Sequence, residues 1–277
     1  MNARTYLKNA LSAQQPGIGM WLTLPGTALA KTIATIGGFN WILVDAEHGQ
    51  IGDKDYYDLC NAITVEGISP IIRIPSDEGW MIKRALDSGA HGIMTPMCHN
   101  AETAKKIVSM SKFAPVGTRG CGSPFTHHIF GVTEGEYEVQ CNDNLLVIVQ
   151  IESKSGVENV EEIAAVPGVD VLFVGPFDLA KSMDIEFGSQ AHEDAIARTL
   201  AACKANNKFA SIFCESRIPN ASSPSPVTDR TPVWGGQGMS GEQAKKRLAQ
   251  GFDSVSICTD TDSLIREFTR QLEAVKQ

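Results

Sequence analysis

The chain has 277 residues, 43% of them apolar and 20% charged, and its 24 Lys+Arg against 32 Asp+Glu give a formal charge of −8. This composition excludes a disordered chain and predicts a core large enough to fold unaided. No basic run stands out, which argues against sequence-blind nucleic-acid binding, because that needs clustered cations.

At the N-terminus, Met1 to Gly17 lacks the apolar segment of a secretory signal, and no run in the chain approaches the roughly 18 apolar residues of a membrane span. Residues 1–44 hold Arg4, Lys8 and Lys31 and no acid, a faint transit-peptide feature, but a strand-like run already begins by Gly17. A cytoplasmic protein, binding neither membrane nor nucleic acid, is expected. The first segment, about 3–14, reads as a helix. Apolar or β-rich runs then follow at Gly17–Leu24, Trp41–Asp45, Pro70–Ile74, Gly92–Met97, Leu145–Ile151, Val169–Val174, Phe209–Phe213 and Ser254–Ile257. The stretches between them have helical spacing and starting caps, at Asp53, Asn100 and Ser155. Near-continuous apolar strands belong to sheets buried on both faces. Eight of them, each followed by a helix, predict an α/β fold, a (β/α)8 TIM barrel forming one domain over 1–277. The competing open doubly wound sheet would want a glycine-rich fingerprint after the first strand, where Leu24-Pro25-Gly26-Thr27 stands instead.

Two stretches break the rhythm. Residues 112–143, containing GTRGCGSPFTHHIFG, read as a long loop between the fourth and fifth strands. Residues 215–240 hold four of the thirteen prolines and read as a flexible insertion after strand seven, either lid-like or a passive surface loop. Seven scattered cysteines show no zinc spacing and read as thiols of a reducing compartment.

Barrel chemistry sits at the C-terminal ends of the strands. Strand two ends in Asp45-Ala46-Glu47-His48-Gly49, strand three in Arg73-Ile74-Pro75, strand five in Gln150-Ile151-Glu152 and strand six in Gly175-Pro176-Phe177-Asp178. Glu152 and Asp178 lie about one βα repeat apart. Neighbouring strands are roughly 4.8 Å apart, so the two carboxylates can share a hard cation, Mg2+ or Mn2+. Either acid alone is equally a helix cap or first-turn acid. Asp45 and His48, three apart, suggest a carboxylate that orients an imidazole base, although a bland hydrogen-bonded His fits the pair as well. Arg73 interrupts an apolar strand and needs an anionic partner, either a developing enolate or an internal salt bridge. His91 would lie at the opposite end of the barrel. His99, His127, His128 and His192 read as structural or solvated.

Taken together, GMWLTL, WILVDAEHG, IIRIP, GIMTPM, GTRGCGSPF, VQIES and VGPFDL resemble the HpcH/HpaI aldolases, from about Gly17 to Cys214 and again from Gly241 to the end. The resemblance implies a class II, pyruvate-dependent aldolase (a carbon–carbon lyase) acting on 4-hydroxy-2-oxo acids. It implies a divalent metal on Glu152 and Asp178, with Mg2+ first and Mn2+ or Co2+ also accepted. The Asp45–His48 pair and Arg73 would be catalytic. Arg73 and Gln150 would contact the keto acid, with Pro176 and Phe177 beside it. Asp87 matches an acid offered to a neighbouring subunit's site, and family members are commonly hexamers that exchange a C-terminal helix, here about Thr261–Val275. An oxaloacetate decarboxylase, a CoA-ester lyase of the citrate lyase type and a non-catalytic oligomeric barrel remain as alternatives. The family passes from strand seven to its next helix in a few residues, so 215–240 departs from it.

Overall fold

A computed structural model describes residues 5–214 and 240–276. Eight parallel strands close into a barrel in sequence order: β1 (Gly17–Leu22), β2 (Trp41–Asp45), β3 (Ser69–Arg73), β4 (Gly92–Thr95), β5 (Leu146–Ile151), β6 (Val171–Val174), β7 (Phe209–Phe213) and β8 (Ser254–Thr259), with β8 pairing back to β1. Successive strand residues face opposite sides. Ile42, Val44, Ile72, Ile93, Val147, Val149, Leu172, Val174, Ile212 and Val255 therefore pack outward among the helices. Trp41, Leu43, Ile71, Met94, Leu146, Ile148, Val171 and Phe173 fill the barrel interior. The helix Tyr6–Ser12 contributes Leu7 and Leu11 to that interior, closing its lower end beneath Trp41 and Ile71. Among the described residues no helix is long and apolar enough to cross a membrane.

All eight expected strands form, and Asn100 caps its helix by accepting the Thr103 N–H at 2.9 Å. Three local expectations change. Residues 112–143 are not simply a loop, for they carry the helices Thr126–Phe130 and Glu134–Asn144. The second of these buries only Tyr137 and Cys141, so its apolar stripe is too thin to read from spacing. The cap after β5 is Ser153, whose hydroxyl accepts the Gly156 N–H, not Ser155. Asp53 opens a single 3-10 turn ahead of the helix Tyr56–Thr64. The expectation for 215–240 lies outside the described residues, except that Ser240 begins the helix Ser240–Ala249. The last helix, Asp260–Lys276, leaves Leu264, Ile265, Phe268, Leu272 and Val275 exposed on its surface.

Candidate active site

The upper end of the barrel interior changes from apolar to ionisable. Asp45, Arg73 and Gln150 each lie two residues beyond an inward apolar residue (Leu43, Ile71 and Ile148), so strand periodicity turns all three inward. Asp45 is directly opposite Arg73 in the β2–β3 register. Arg73 Nε donates to Asp45 Oδ1 at 2.9 Å and Nη2 donates to Oδ2 at 2.7 Å, a two-pronged pair with both side chains buried. The third guanidinium nitrogen, Nη1, faces Glu47 Oε2 at 3.0 Å. The guanidinium lies 4.2 Å above the Trp21 ring, which fixes its plane from beneath.

This arrangement changes the expected Asp45–His48 dyad. Asp45 Oδ1 also accepts the backbone N–H groups of Glu47 (3.1 Å) and His48 (3.3 Å), so Asp45 holds the turn that carries His48 while its charge is given to Arg73. The sequence spacing placed the two residues together, but it could not show that Arg73 arrives across the sheet to take the carboxylate. The His48 ring is 69% exposed, and its acidic neighbour is Glu47, with Nε2 3.8 Å from Oε1. Glu47 is thus a residue that sequence reasoning missed, although it stood in plain view within DAEHG. Burial raises its pKa, with Asp45 and Asp178 adding to the rise and Arg73 and His48 opposing it. At Gly49, a Cβ would come 2.3 Å from the Asp45 carbonyl oxygen, so the tight turn after β2 requires glycine.

Glu152 is buried just past β5. Its Oε1 accepts the Met97 N–H at 2.9 Å and its Oε2 accepts the Gln150 amide at 2.8 Å. Met97 presents that N–H from a left-handed backbone, φ 54°, a conformation rare for a non-glycine residue and found at functional sites. At Gly175 a Cβ would stand 2.2 Å from Glu152 Oε2, so only glycine lets the carboxylate occupy this position. Burial pushes the Glu152 pKa up to about 7. The Met97 N–H and Arg73 pull it down, while Glu47 and Asp178 push it up. Asp178 lies exposed in the first turn of the helix Pro176–Ser182. Its charge acts on both Glu152 and Glu47, so the three acids share one field.

Pro176 is buried, and Phe177 stacks on Phe187 at 4.8 Å with 9° between the rings. Asp87 is elsewhere. It ends the helix Gly79–Asp87 that leads down to the start of β4, and its carboxylate accepts from Arg119 at 2.9 Å. Within one chain Asp87 therefore belongs to the lower end of the barrel, away from the rim. His91 is at that same end, 3.0 Å from Ser69 and driven to a pKa of about 3 by burial. Sequence reasoning also missed Asp260, which follows β8. Its carboxylate accepts the backbone N–H groups of Thr23 and Leu24 and the Thr23 hydroxyl, pinning the β1 loop to the rim.

The donor set fits a divalent cation. Asp45 and Glu47 pair with the buried Arg73, which leaves Glu152 and Asp178, whose charge acts on Glu152, as two hard-oxygen donors. Among the described residues no three His, Cys, Asp or Glu side chains group as a ready-made metal cage, so water and substrate oxygens would complete the coordination of a cation held by two acids.

Residues 17–218 match the HpcH/HpaI aldolase/citrate lyase family. A 2-dehydro-3,6-dideoxy-6-sulfogluconate aldolase from Pseudomonas putida is 40% identical over 200 residues, covering 70% of this chain and 76% of its own. A hydroxypyruvate/pyruvate aldolase from Paraburkholderia phytofirmans is 31% identical over 279 residues, covering 98% of this chain and 97% of its own. The crystal structure of a family protein from Burkholderia cenocepacia superposes with a TM-score of 0.82 at 31% identity, covering 98% of this chain and 99% of that one.

Proposed function

Because the chain belongs to the HpcH/HpaI aldolase/citrate lyase family and is an aldolase, a carbon–carbon lyase, we propose that it cleaves 4-hydroxy-2-oxo acids to pyruvate and an aldehyde in a metal-dependent, class II reaction. Its substrates are 2-keto-3-deoxy sugar acids or chains of the 4-hydroxy-2-oxoheptanedioate type. The observation that carries this reading is the buried Arg73–Asp45 pair at the same strand-end rim as the buried Glu152, with the charges of Arg73 and Asp178 both acting on Glu152. Glu152 and Asp178 would hold the cation, Mg2+ first and Mn2+ or Co2+ also accepted, and a bound divalent cation supplies Lewis-acid polarisation of the keto acid oxygens. Gln150, Pro176 and Phe177 border the keto acid.

The side chains supply the rest. Arg73, fixed by Asp45 and Trp21, donates to the C2 oxygen as negative charge develops there, with no reorganisation at the moment of reaction. His48 takes the proton of the C4 hydroxyl, directly or through water, and exchanges it with solvent through its exposed face. The C3–C4 bond then breaks, its electron pair passes to C3 and the C2 oxygen as the enolate, and the aldehyde leaves. Protonation at C3 gives pyruvate. Loss of CO2 from oxaloacetate would generate the same enolate, so oxaloacetate decarboxylation is expected as a further activity. The competing Schiff-base route needs a lysine in an apolar setting, and Lys154, just beyond β5, is exposed.

The exposed stripe Leu264, Phe268, Leu272 and Val275 supports a homo-oligomer, a hexamer as the family resemblance implies, in which a neighbour covers this helix and Asp87 serves a neighbour's site. Residues 1–277 act as one domain in the cytoplasm, with 215–240 as an insertion. A screen of pyruvate and of oxaloacetate against a panel of aldehydes, with and without EDTA, tests the proposal. Turnover that EDTA abolishes and Mg2+, Mn2+ or Co2+ restores is expected; full turnover by metal-free enzyme refutes the metal scheme. Borohydride trapping of pyruvate on the protein would instead favour the Schiff-base route.

A further inference from the structure

The two acids of the rim are held in different ways. Both carboxylate oxygens of Glu152 accept protein donors, whereas among the described residues no hydrogen bond fixes the Asp178 carboxylate. The direction of Asp178 therefore depends on its backbone, in the short helix Pro176–Ser182. One buried side chain grips the start of that helix. His192, 1% exposed, lies in the first turn of the helix Gln190–Ala205, and its Nε2 is 2.9 Å from the Pro176 carbonyl oxygen. Its other nitrogen, Nδ1, accepts the Gly188 N–H at 3.1 Å. Since Nδ1 is an acceptor, the ring proton is assigned to Nε2, which donates to Pro176. Ring packing runs along the same line: His192 lies 4.9 Å from Phe187, which stacks on Phe177, the residue just before Asp178. The neighbouring Glu193 forms a two-pronged pair with the buried Arg247, at 2.6 and 2.7 Å, and this anchors the helix that carries His192.

We propose that His192 is a positioning residue of the cation site, holding the Pro176–Asp178 turn through the Pro176 carbonyl so that Asp178 faces the same point as Glu152. The inference rests on the reading that Glu152 and Asp178 hold the cation. Partners that orient metal ligands commonly carry about 10- to 100-fold of the affinity. The sequence showed only a histidine at a helix start. The function appears once the tautomer and the Pro176 contact are known.

The test is a calorimetric titration of the purified full chain with Mn2+ alone, alongside its melting temperature with and without Mn2+. His192→Gln keeps an N–H donor near the Nε2 position. His192→Asn is too short to reach Pro176. We expect His192→Asn to bind Mn2+ about tenfold more weakly, to lose most of the Mn2+-induced rise in melting temperature and to keep a cooperative transition without metal, with His192→Gln restoring affinity close to the native value. If His192→Asn does not fold, Phe187→Leu, which removes the ring between Phe177 and His192 but leaves both histidine hydrogen bonds, must show a smaller loss in the same direction. Native Mn2+ binding that is unchanged in His192→Asn, or in Phe187→Leu where that variant stands in, overturns this inference alone. A native chain that binds no Mn2+ overturns the metal reading and this inference with it.

Discussion

The two ends of the barrel are built from the same strands but treat polar groups differently. At the lower end polar side chains are tied to backbone: Ser254 donates to the Gly17 carbonyl, Asp170 accepts from the Val147 N–H and from Lys8, and Ser69 accepts the Leu7 N–H. Leu7 and Leu11 then cover this floor. At the upper end Asp45 and Glu47 share one guanidinium, Glu152 is displaced to a pKa of about 7, Met97 has a left-handed backbone and the Gln150 Oε1 is buried without a partner among the described residues. The lower end leaves neutral groups, such as His91 Nε2 and Trp41 Nε1, without partners among the described residues. The upper end keeps like charges close together, as expected where a barrel does chemistry.

The largest effect that would sharpen this contrast is Glu152→Gln, expected to lower turnover to that of the chelated native enzyme in a steady-state assay. Arg73→Ala should lower kcat by roughly 10²–10³ as a lost oxyanion donor. It should also cost about 3–5 kcal/mol by leaving the buried Asp45 unpaired, which denaturant melts would read. Gly175→Ala puts a methyl where Glu152 Oε2 lies and should cost about 10- to 100-fold in metal affinity, with a small change in melting temperature. If that variant binds metal normally, the fit between Gly175 and Glu152 has no functional meaning.

A pH experiment probes the upper end. The folded pKa of Glu152, about 7, is above the ordinary 4.5, so the folded chain holds this proton more tightly than the unfolded chain. That contribution to stability is fully present below about pH 4.5 and is lost as pH rises through 7. The metal-free native chain should therefore lose stability relative to Glu152→Gln between pH 5 and 8, and native Mn2+ affinity should rise over the same interval; parallel curves for the two proteins would refute the assignment. The smallest effect on activity is expected at the floor, where Leu11→Ala should cost about 2–5 kcal/mol in stability while leaving kcat/KM near native at a temperature where the variant is folded.

The fold was legible because parallel strands buried on both faces leave apolar runs that turns interrupt, and each expected run forms its strand. The rim was legible as a set of residue types at strand ends. Their partnerships were not. Asp45 meets Arg73 through the β2–β3 register, 28 residues away in sequence, which no local spacing displays. The donation from Met97 and the room made by Gly175 are backbone properties, invisible until the chain is closed on itself. The helix Glu134–Asn144 was missed because two buried residues make no periodic stripe.

Leu7 and Leu11 have one more consequence. They come from the helix Tyr6–Ser12, ahead of the first strand, yet belong to the same packed cluster as Trp41, Ile71 and Phe173. Trimming the first dozen residues would therefore wet the underside of the barrel core, so this opening segment behaves as a keystone and not as a tail.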